Sequence, residues 1–253
     1  MLAIPACCVL ATTCFYPQVP LKVPTLMTAF PATAATASGI AAGLRHLGKK
    51  KEITVVGLAG DGGTADIGIQ ALSGALDRGD QILYICYDNE AYMNTGVQRS
   101  GATPKGARTT TTPGGQRGMW ESSPKKDLLS IVAAHGIPYA ATSCISFPQD
   151  FMQKLAKAAQ VEDGPSFIHV LAPCPPGWGY ASEKTIELGK LAVEAGVFIL
   201  REWENGEMKV TRKLRKRKPL AEYLKPQARF RHLTDEEIKA MEEEIARAWE
   251  TIS

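Results

Sequence analysis

A chain of 253 residues with 45% hydrophobic content is long enough to bury a full core and suits one α/β domain with an appended tail. Its formal net charge of +3 gives no electrostatic case for nucleic acid as a partner, and no apolar run reaches the roughly 18 residues a membrane span needs. Six cysteines, at positions 7, 8, 14, 86, 144 and 174, form no regular framework, so thiols or metal ligands are expected rather than disulfides.

The chain opens on MLAIPACCVLATTC, which is apolar but lacks the basic segment of a signal peptide, and a cytoplasmic protein is expected. Ala32 to Leu44 is dense in Ala, Ser, Thr and Gly and predicts a helix packed tightly against a sheet. Ile53 to Leu58 and Ile82 to Tyr87 are apolar, β-branched runs that read as buried strands. Between them Ile67, Ala71, Leu72, Ala75 and Leu76 recur at helical spacing, so Thr64 to Arg78 is a helix ended by Gly79-Asp80. A strand, helix, strand unit of this kind pairs its strands in parallel and brings their carboxyl ends together, where open α/β sheets bind ligands.

Asp61 and Asn89 are thereby placed side by side, as exposed residues at two strand ends. An Asp carboxylate, an Asn amide oxygen and free backbone carbonyls are hard oxygen ligands suited to magnesium that also holds phosphate. Gly60, Gly62 and Gly63 remove side chains where a diphosphate would approach the backbone. A dinucleotide GxGxxG site is disfavoured because Ala65 stands at the third glycine position, and no GK[ST] follows to make a P-loop.

Further along, Gly101 to Gly118 is a long loop rich in Thr, Gly and Pro, expected near the active site and a partner chain. Lys125 to Gly136, Phe151 to Gln160 and Lys184 to Ala195 read as helices, with His135 capping a helix end rather than acting in catalysis. Cys86, in a strand, and Cys144, in an apolar segment, read as inert core thiols, whereas Cys174 follows the strand Phe167 to Leu171 in APCPPGW, a proline-rich setting suited to a cluster ligand. The basic run Arg212 to Lys218 is a solvated face or a docking surface for an acidic partner. Thr234 and Glu237 form a capping box at the start of an amphipathic helix over Asp235 to Ile252.

GDG followed by an Asn 28 positions after its Asp resembles the thiamine diphosphate fingerprint. GDGGTADIG, YDNEAYMNTG, QRSGATPKGA and CPPGW together resemble the β subunit of 2-oxoacid:ferredoxin oxidoreductases, the pyruvate type in particular. The resemblance runs from about Pro5 to the end of the chain and is densest over residues 57 to 107.

It implies an α/β thiamine diphosphate-binding fold, a parallel sheet with helices on both faces over residues 1–200, followed by a C-terminal arm and helix over 201–253. Asp61, Asn89 and the Ala91 carbonyl would ligate magnesium, and Gly60, Gly62 and Gly63 would cradle the diphosphate. Asn94 and Thr95 would lie by the diphosphate and the reacting centre, Asn94 in a catalytic role. The small-residue helix would pack beside the thiamine ring. A 4Fe-4S cluster would take Cys174 and, by alignment of VLATTCFYPQVPLKVP, Cys8, with Cys7 and Cys14 as lesser claimants. Two further family cysteines, a CxxC pair, have no counterpart, so the chain reads as N-terminally truncated, with a lost or rebuilt cluster as the alternative.

The implied reaction is oxidative decarboxylation of a 2-oxoacid, pyruvate foremost, to acyl-CoA with coenzyme A as co-substrate and ferredoxin as acceptor. The aminopyrimidine-activating glutamate would come from an α subunit, leaving this chain inactive without its partner subunits. Branched-chain or oxalate oxidoreductases and a non-oxidative thiamine-dependent decarboxylase subunit are the alternatives. A cofactor-free scaffold is disfavoured because Asp61 and Asn89 are both present.

Overall fold

The structure is a computed structural model and describes residues 1–5, 22–50, 52–114 and 121–252. Among the described residues eight strands form one sheet: β1 (Leu2–Pro5), β2 (Thr25–Thr28), β3 (Val56–Gly60), β4 (Leu83–Asp88), β5 (Tyr139–Cys144), β6 (Ser166–Leu171), β7 (Arg201–Glu204) and β8 (Glu207–Val210). They lie in the order β2-β1-β3-β4-β6-β5-β7-β8, parallel through β5 and antiparallel at β7 and β8.

Side chains alternate between two covered faces. Tyr84, Cys86, Ala140 and Phe167 pack under α1 (Thr33–His46), α3 (Ile69–Asp77) and α4 (Leu128–Ala133). Leu83, Ala141, Ile168 and Val170 pack under α5 (Pro148–Ala159). β5 and β6 are buried along their whole length, as strands covered on both faces are. The expected small-residue helix is α1, whose Ala34, Ala37 and Ala41 are buried against the sheet.

The strand, helix, strand unit forms with one change. Its helix is split into a turn, α2 (Asp61–Ala65), and α3. Asp66 leaves the helical path to accept from the Gly101 amide (2.8 Å) and from Lys126 Nζ (2.9 Å), which ties down the following loop. Gly68 then packs so closely on the Gly63 carbonyl that a Cβ would lie 2.0 Å from its oxygen.

Two short helices, α6 (Pro175–Trp178) and α7 (Thr185–Glu194), lead to β7 and β8, and α8 (Leu220–Leu224) and α9 (Asp235–Ile252) end the chain. Leu188, Tyr223, Leu224 and Phe230 form a second core with Cys144, Leu171 and Trp178, so residues 220–230 close over the carboxyl end of the sheet. The capping box of α9 is made as expected, with Glu237 N donating to Thr234 Oγ1 (3.2 Å) and Thr234 N to Glu237 Oε2 (2.8 Å). His135 contacts the carbonyl of Ile131 through Nδ1 (3.0 Å), near the end of α4. Among the described residues no helix is long and apolar enough to cross a membrane.

β7 is pinned by two acids. Glu202 accepts from Tyr139 Oη (2.8 Å) and Lys157 Nζ (3.0 Å), and Asp127 accepts from Arg201 Nη2 (2.7 Å). Burial alone would raise both carboxyls, but these donors outweigh it and hold both below the usual carboxylate range. A depressed native pKa contributes stability above the unfolded value, about 4, that is lost as pH falls through the native one. Acidification below pH about 4 is therefore expected to release the β7 and β8 amides to hydrogen exchange before those of β3, β4 and β6. Simultaneous loss of protection in all five strands would show that the two acids do not act locally.

Candidate active site

β3 and β4 are hydrogen-bonded neighbours with Gly60 opposite Tyr87, so the residues that follow them emerge together. Gly60, Asp61, Gly62, Asn89, Ala91, Asn94 and Thr95 line one cleft there, with Phe30 and Tyr92 completing its wall. Gly63 lies just behind, against the Phe30 ring and carbonyl. Asn94 and Thr95 are exposed at the rim, and the Thr95 hydroxyl bonds to Gln98 Oε1.

The expectation of exposed strand ends is corrected for the two central residues. Asp61 is 1% exposed and Asn89 9%. Their cover comes from elsewhere in the chain: Ser100 Oγ donates to Asp61 Oδ2, and Trp178 Nε1 donates to the Asn89 carbonyl (2.8 Å). Burial, followed by the nearby Asp88 charge, pushes the Asp61 carboxyl well above its ordinary range.

At the centre three oxygens converge. The side-chain oxygen of Asn89 faces only acceptors, with the Ala91 carbonyl at 2.8 Å and Asp61 Oδ1 at 3.1 Å from that position. Turning the amide satisfies both of its ends, with its NH2 then donating to the two oxygens; a bound cation would instead hold the amide oxygen toward them. Adjacent ligands of an octahedral magnesium at 2.0–2.1 Å stand about 2.9 Å apart, which is close to the separation of the Asn89 amide from each of the other two groups. A carboxylate, an amide oxygen and a carbonyl are also the hard donors that magnesium takes. The donor set fits the ion.

Behind the turn lies a buried charge network that sequence reasoning did not find. Asp88 binds His169 Nε2 (2.7 Å) and Lys125 Nζ, and Lys125 also binds Glu90 Oε1 (2.7 Å). Arg229 Nη2 completes it on Glu90 Oε2 (2.6 Å). Burial would raise Asp88, but Lys125 and His169 bring it down to about 2. Burial likewise opposes the Lys125 charge, and Asp88 and Glu90 overcome it and hold its pKa up. The only sequence signal was acid density in YDNEAY, because the cationic partners lie 35 and 139 positions from Glu90.

Cys86 and Cys144 are fully buried thiols, the latter raised by desolvation to about 11, in keeping with an inert role. Cys174 is free and half-buried just after β6; a Cβ on Gly177 would lie 3.6 Å from its sulfur and 2.1 Å from that of Met93, which lines the cleft. Cys7, Cys8 and Cys14 lie outside the described residues. Within the basic run, Arg212 stacks on Phe147 (4.6 Å), Lys218 pairs with Glu194 (2.9 Å), and Lys213, Arg215 and Lys216 are exposed.

Residues 7–170 match the thiamine pyrophosphate enzyme C-terminal TPP-binding domain. Over 244 residues the chain is 57% identical to pyruvate synthase subunit PorB of Methanocaldococcus jannaschii, covering 94% of this chain and 82% of that one. The chain belongs to the β subunits of the 2-oxoacid:ferredoxin oxidoreductases. A further member, ketoisovalerate oxidoreductase subunit VorB of Pyrococcus abyssi, is 50% identical over 258 residues, covering 100% of this chain and 83% of its own. The β-subunit fold is also that of a solved 2-oxoglutarate:ferredoxin oxidoreductase from Magnetococcus marinus, at a TM-score of 0.58 and 20% identity over 69% of this chain and 54% of that one.

Proposed function

We propose that this β subunit binds magnesium and thiamine diphosphate and serves the oxidative decarboxylation of pyruvate to acetyl-CoA and CO2, with ferredoxin as electron acceptor and an α subunit completing the site. The observation that carries the reading is the convergence of the Asp61 carboxylate, the Asn89 amide and the Ala91 carbonyl, with the end of the Asn89 amide 2.8 Å from the Ala91 carbonyl and 3.1 Å from Asp61 Oδ1. Bound there, thiamine diphosphate supplies the nucleophilic carbon and the electron sink for decarboxylation.

This chain's residues do the holding. Asp61, Asn89 and the Ala91 carbonyl would fix the metal, and Ser100 orients the carboxylate by engaging its outer oxygen. Gly60 and Gly62 leave the backbone approachable, while Phe30 and Tyr92, with rings 5.7 Å apart, wall off water on one side. Asn94 and Thr95 stand at the open rim, where a reacting group would contact them, and Asn94 is the residue assigned to catalysis.

The test uses the enzyme assembled with its partner subunits and stripped of metal and cofactor. Coenzyme A-dependent reduction of ferredoxin by pyruvate is expected to return only when both magnesium and thiamine diphosphate are added. Release of acetaldehyde without an acceptor would replace this reading with a non-oxidative decarboxylase. The 50% identity to VorB favours a branched-chain 2-oxoacid as the second reading, and the ratio of kcat/KM for the two substrates decides between them.

Cys174 is proposed as one iron-sulfur ligand with Cys8 as another, on the strength of its place beside the cleft. Cys174→Ser in the same assembly is expected to lower bound iron and sulfide. An unchanged iron content would remove Cys174 from the ligand set.

A further inference from the structure

The turn that carries the metal-facing oxygens is held on all sides by groups that do not themselves face the metal. The Glu90 amide donates to Asp88 Oδ1 (2.8 Å), Trp178 Nε1 donates to the Asn89 carbonyl (2.8 Å), and Thr103 Oγ1 donates to the Glu90 carbonyl (2.8 Å). Glu90 has a left-handed backbone with φ of 67°, an uncommon state for a residue with a side chain, and one that persists only where surroundings enforce it. Both oxygens of its carboxylate are claimed, one by Lys125 and one by Arg229.

Arg229 is itself fixed. Its guanidinium lies 3.8 Å over the Trp178 ring, its Nε donates to Gln227 Oε1 (2.9 Å), and its side chain is 4% exposed. The same tryptophan thus supports the arginine with its ring and the Asn89 carbonyl with its N–H. A network of this kind is weak evidence for stability, since an apolar replacement of similar volume serves folding as well. What it adds is geometry: with the backbone oxygens of Asn89 and Glu90 taken, the Asn89 amide and the Ala91 carbonyl beside it are the groups left for the site at Asp61.

We propose that Glu90 and Arg229 are positioning residues for the cation site, so that the C-terminal arm, 139 positions away in sequence, sets the spacing of the Asn89 and Ala91 oxygens. The inference rests on the magnesium reading above. It assigns the arm a part in cofactor binding without direct contact to the cofactor.

Two variants test it in the assembled, metal-stripped enzyme, with thiamine diphosphate binding followed by calorimetry over a series of magnesium concentrations. Glu90→Gln keeps the size of the side chain and removes the charge that holds Arg229. It is expected to raise the half-saturating magnesium concentration about 10- to 100-fold, the usual cost of losing an outer-shell partner. At saturating magnesium kcat should return to near the wild-type value, a split that a general loss of folding would not give. Arg229→Gln breaks the same ion pair from the side of the arm, and a rise of similar size is expected. It covers the case in which Glu90→Gln does not fold.

If Arg229→Gln, and Glu90→Gln where it folds, bind the cofactor at the wild-type magnesium concentration, the proposal is overturned, whatever their melting temperatures. A wild-type enzyme whose cofactor binding ignores magnesium is a different result. That outcome sinks the magnesium reading itself.

Discussion

Asp61→Asn is expected to abolish magnesium-dependent binding of thiamine diphosphate while leaving the cofactor-free fold at least as stable as the wild type. The wild-type carboxylate is 1% exposed, is desolvated, and lies 3.1 Å from the end of the Asn89 amide, with no cationic side chain paired to it among the described residues. Ionising it there is unfavourable, which is why its pKa is raised. An asparagine keeps an oxygen for the Ser100 hydroxyl and can place an NH2 where Oδ1 stood, 3.1 Å from the Asn89 side chain. A donor among acceptors satisfies the cluster and removes the buried charge. One added hydrogen bond stabilises by about 1 kcal/mol, or about 2–4 °C in melting temperature for a chain of this size.

The same change deprives magnesium of its only charged ligand in the set. Since loss of an outer-shell partner alone costs 10- to 100-fold, loss of this ligand should weaken binding by more than about 100-fold. Calorimetric titration of thiamine diphosphate at saturating magnesium, alongside a melting curve of the stripped enzyme, reads both halves. Binding at wild-type strength would remove Asp61 from the metal site, and a lower melting temperature would show that its carboxylate contributes to folding.

The juxtaposition of Asp61 and Asn89 was legible because it depends on local signals: two β-branched runs, a helical repeat between them, and glycines at the turn. The capping box of α9 was legible for the same reason, since Thr234 and Glu237 lie within one turn. The burial of Asp61 was not. Its cover is supplied by Ser100, 39 positions on, and no periodicity links the two. Arg229 and Lys125 were invisible as partners of Glu90 for a stronger form of that reason, because only the closed fold brings them together. The break between α2 and α3 escaped because the apolar spacing runs through it; Asp66 is drawn out by Gly101 and Lys126, which are tertiary contacts. Leu2–Pro5 is too short for a pattern of its own, and it becomes an interior strand, next to the edge, by pairing with both β2 and β3.

Gly62→Ala is expected to weaken cofactor binding through Tyr92 rather than through the glycine's own backbone. Gly62 has no left-handed φ and sits in a helical turn, where alanine is the better residue by about 1 kcal/mol. The obstacle is space. A Cβ there would lie 2.5 Å from Tyr92 Cε1 and 2.6 Å from Cζ, closer than ring atoms tolerate, so the ring has to move. Tyr92 now donates from its hydroxyl to the Gly62 carbonyl (3.1 Å), and burial and then Asp66 push its pKa to about 12, so it remains a neutral donor at ordinary pH. Its backbone is locked to Gln98 in both directions (2.9 and 3.2 Å), which leaves the ring little freedom to leave without strain on its neighbour Ala91. Displacing that carbonyl widens the oxygen cluster and should raise the half-saturating magnesium concentration about 10-fold or more, the scale of a disturbed outer shell. Tyr92→Phe, which loses only the hydroxyl, should bind nearly as the wild type does. Tyr92→Ala added to Gly62→Ala removes the collision and should recover most of the loss. Were the double variant as weak as Gly62→Ala alone, the methyl itself would be standing in the path of the cofactor, and the account through Tyr92 and Ala91 would be wrong.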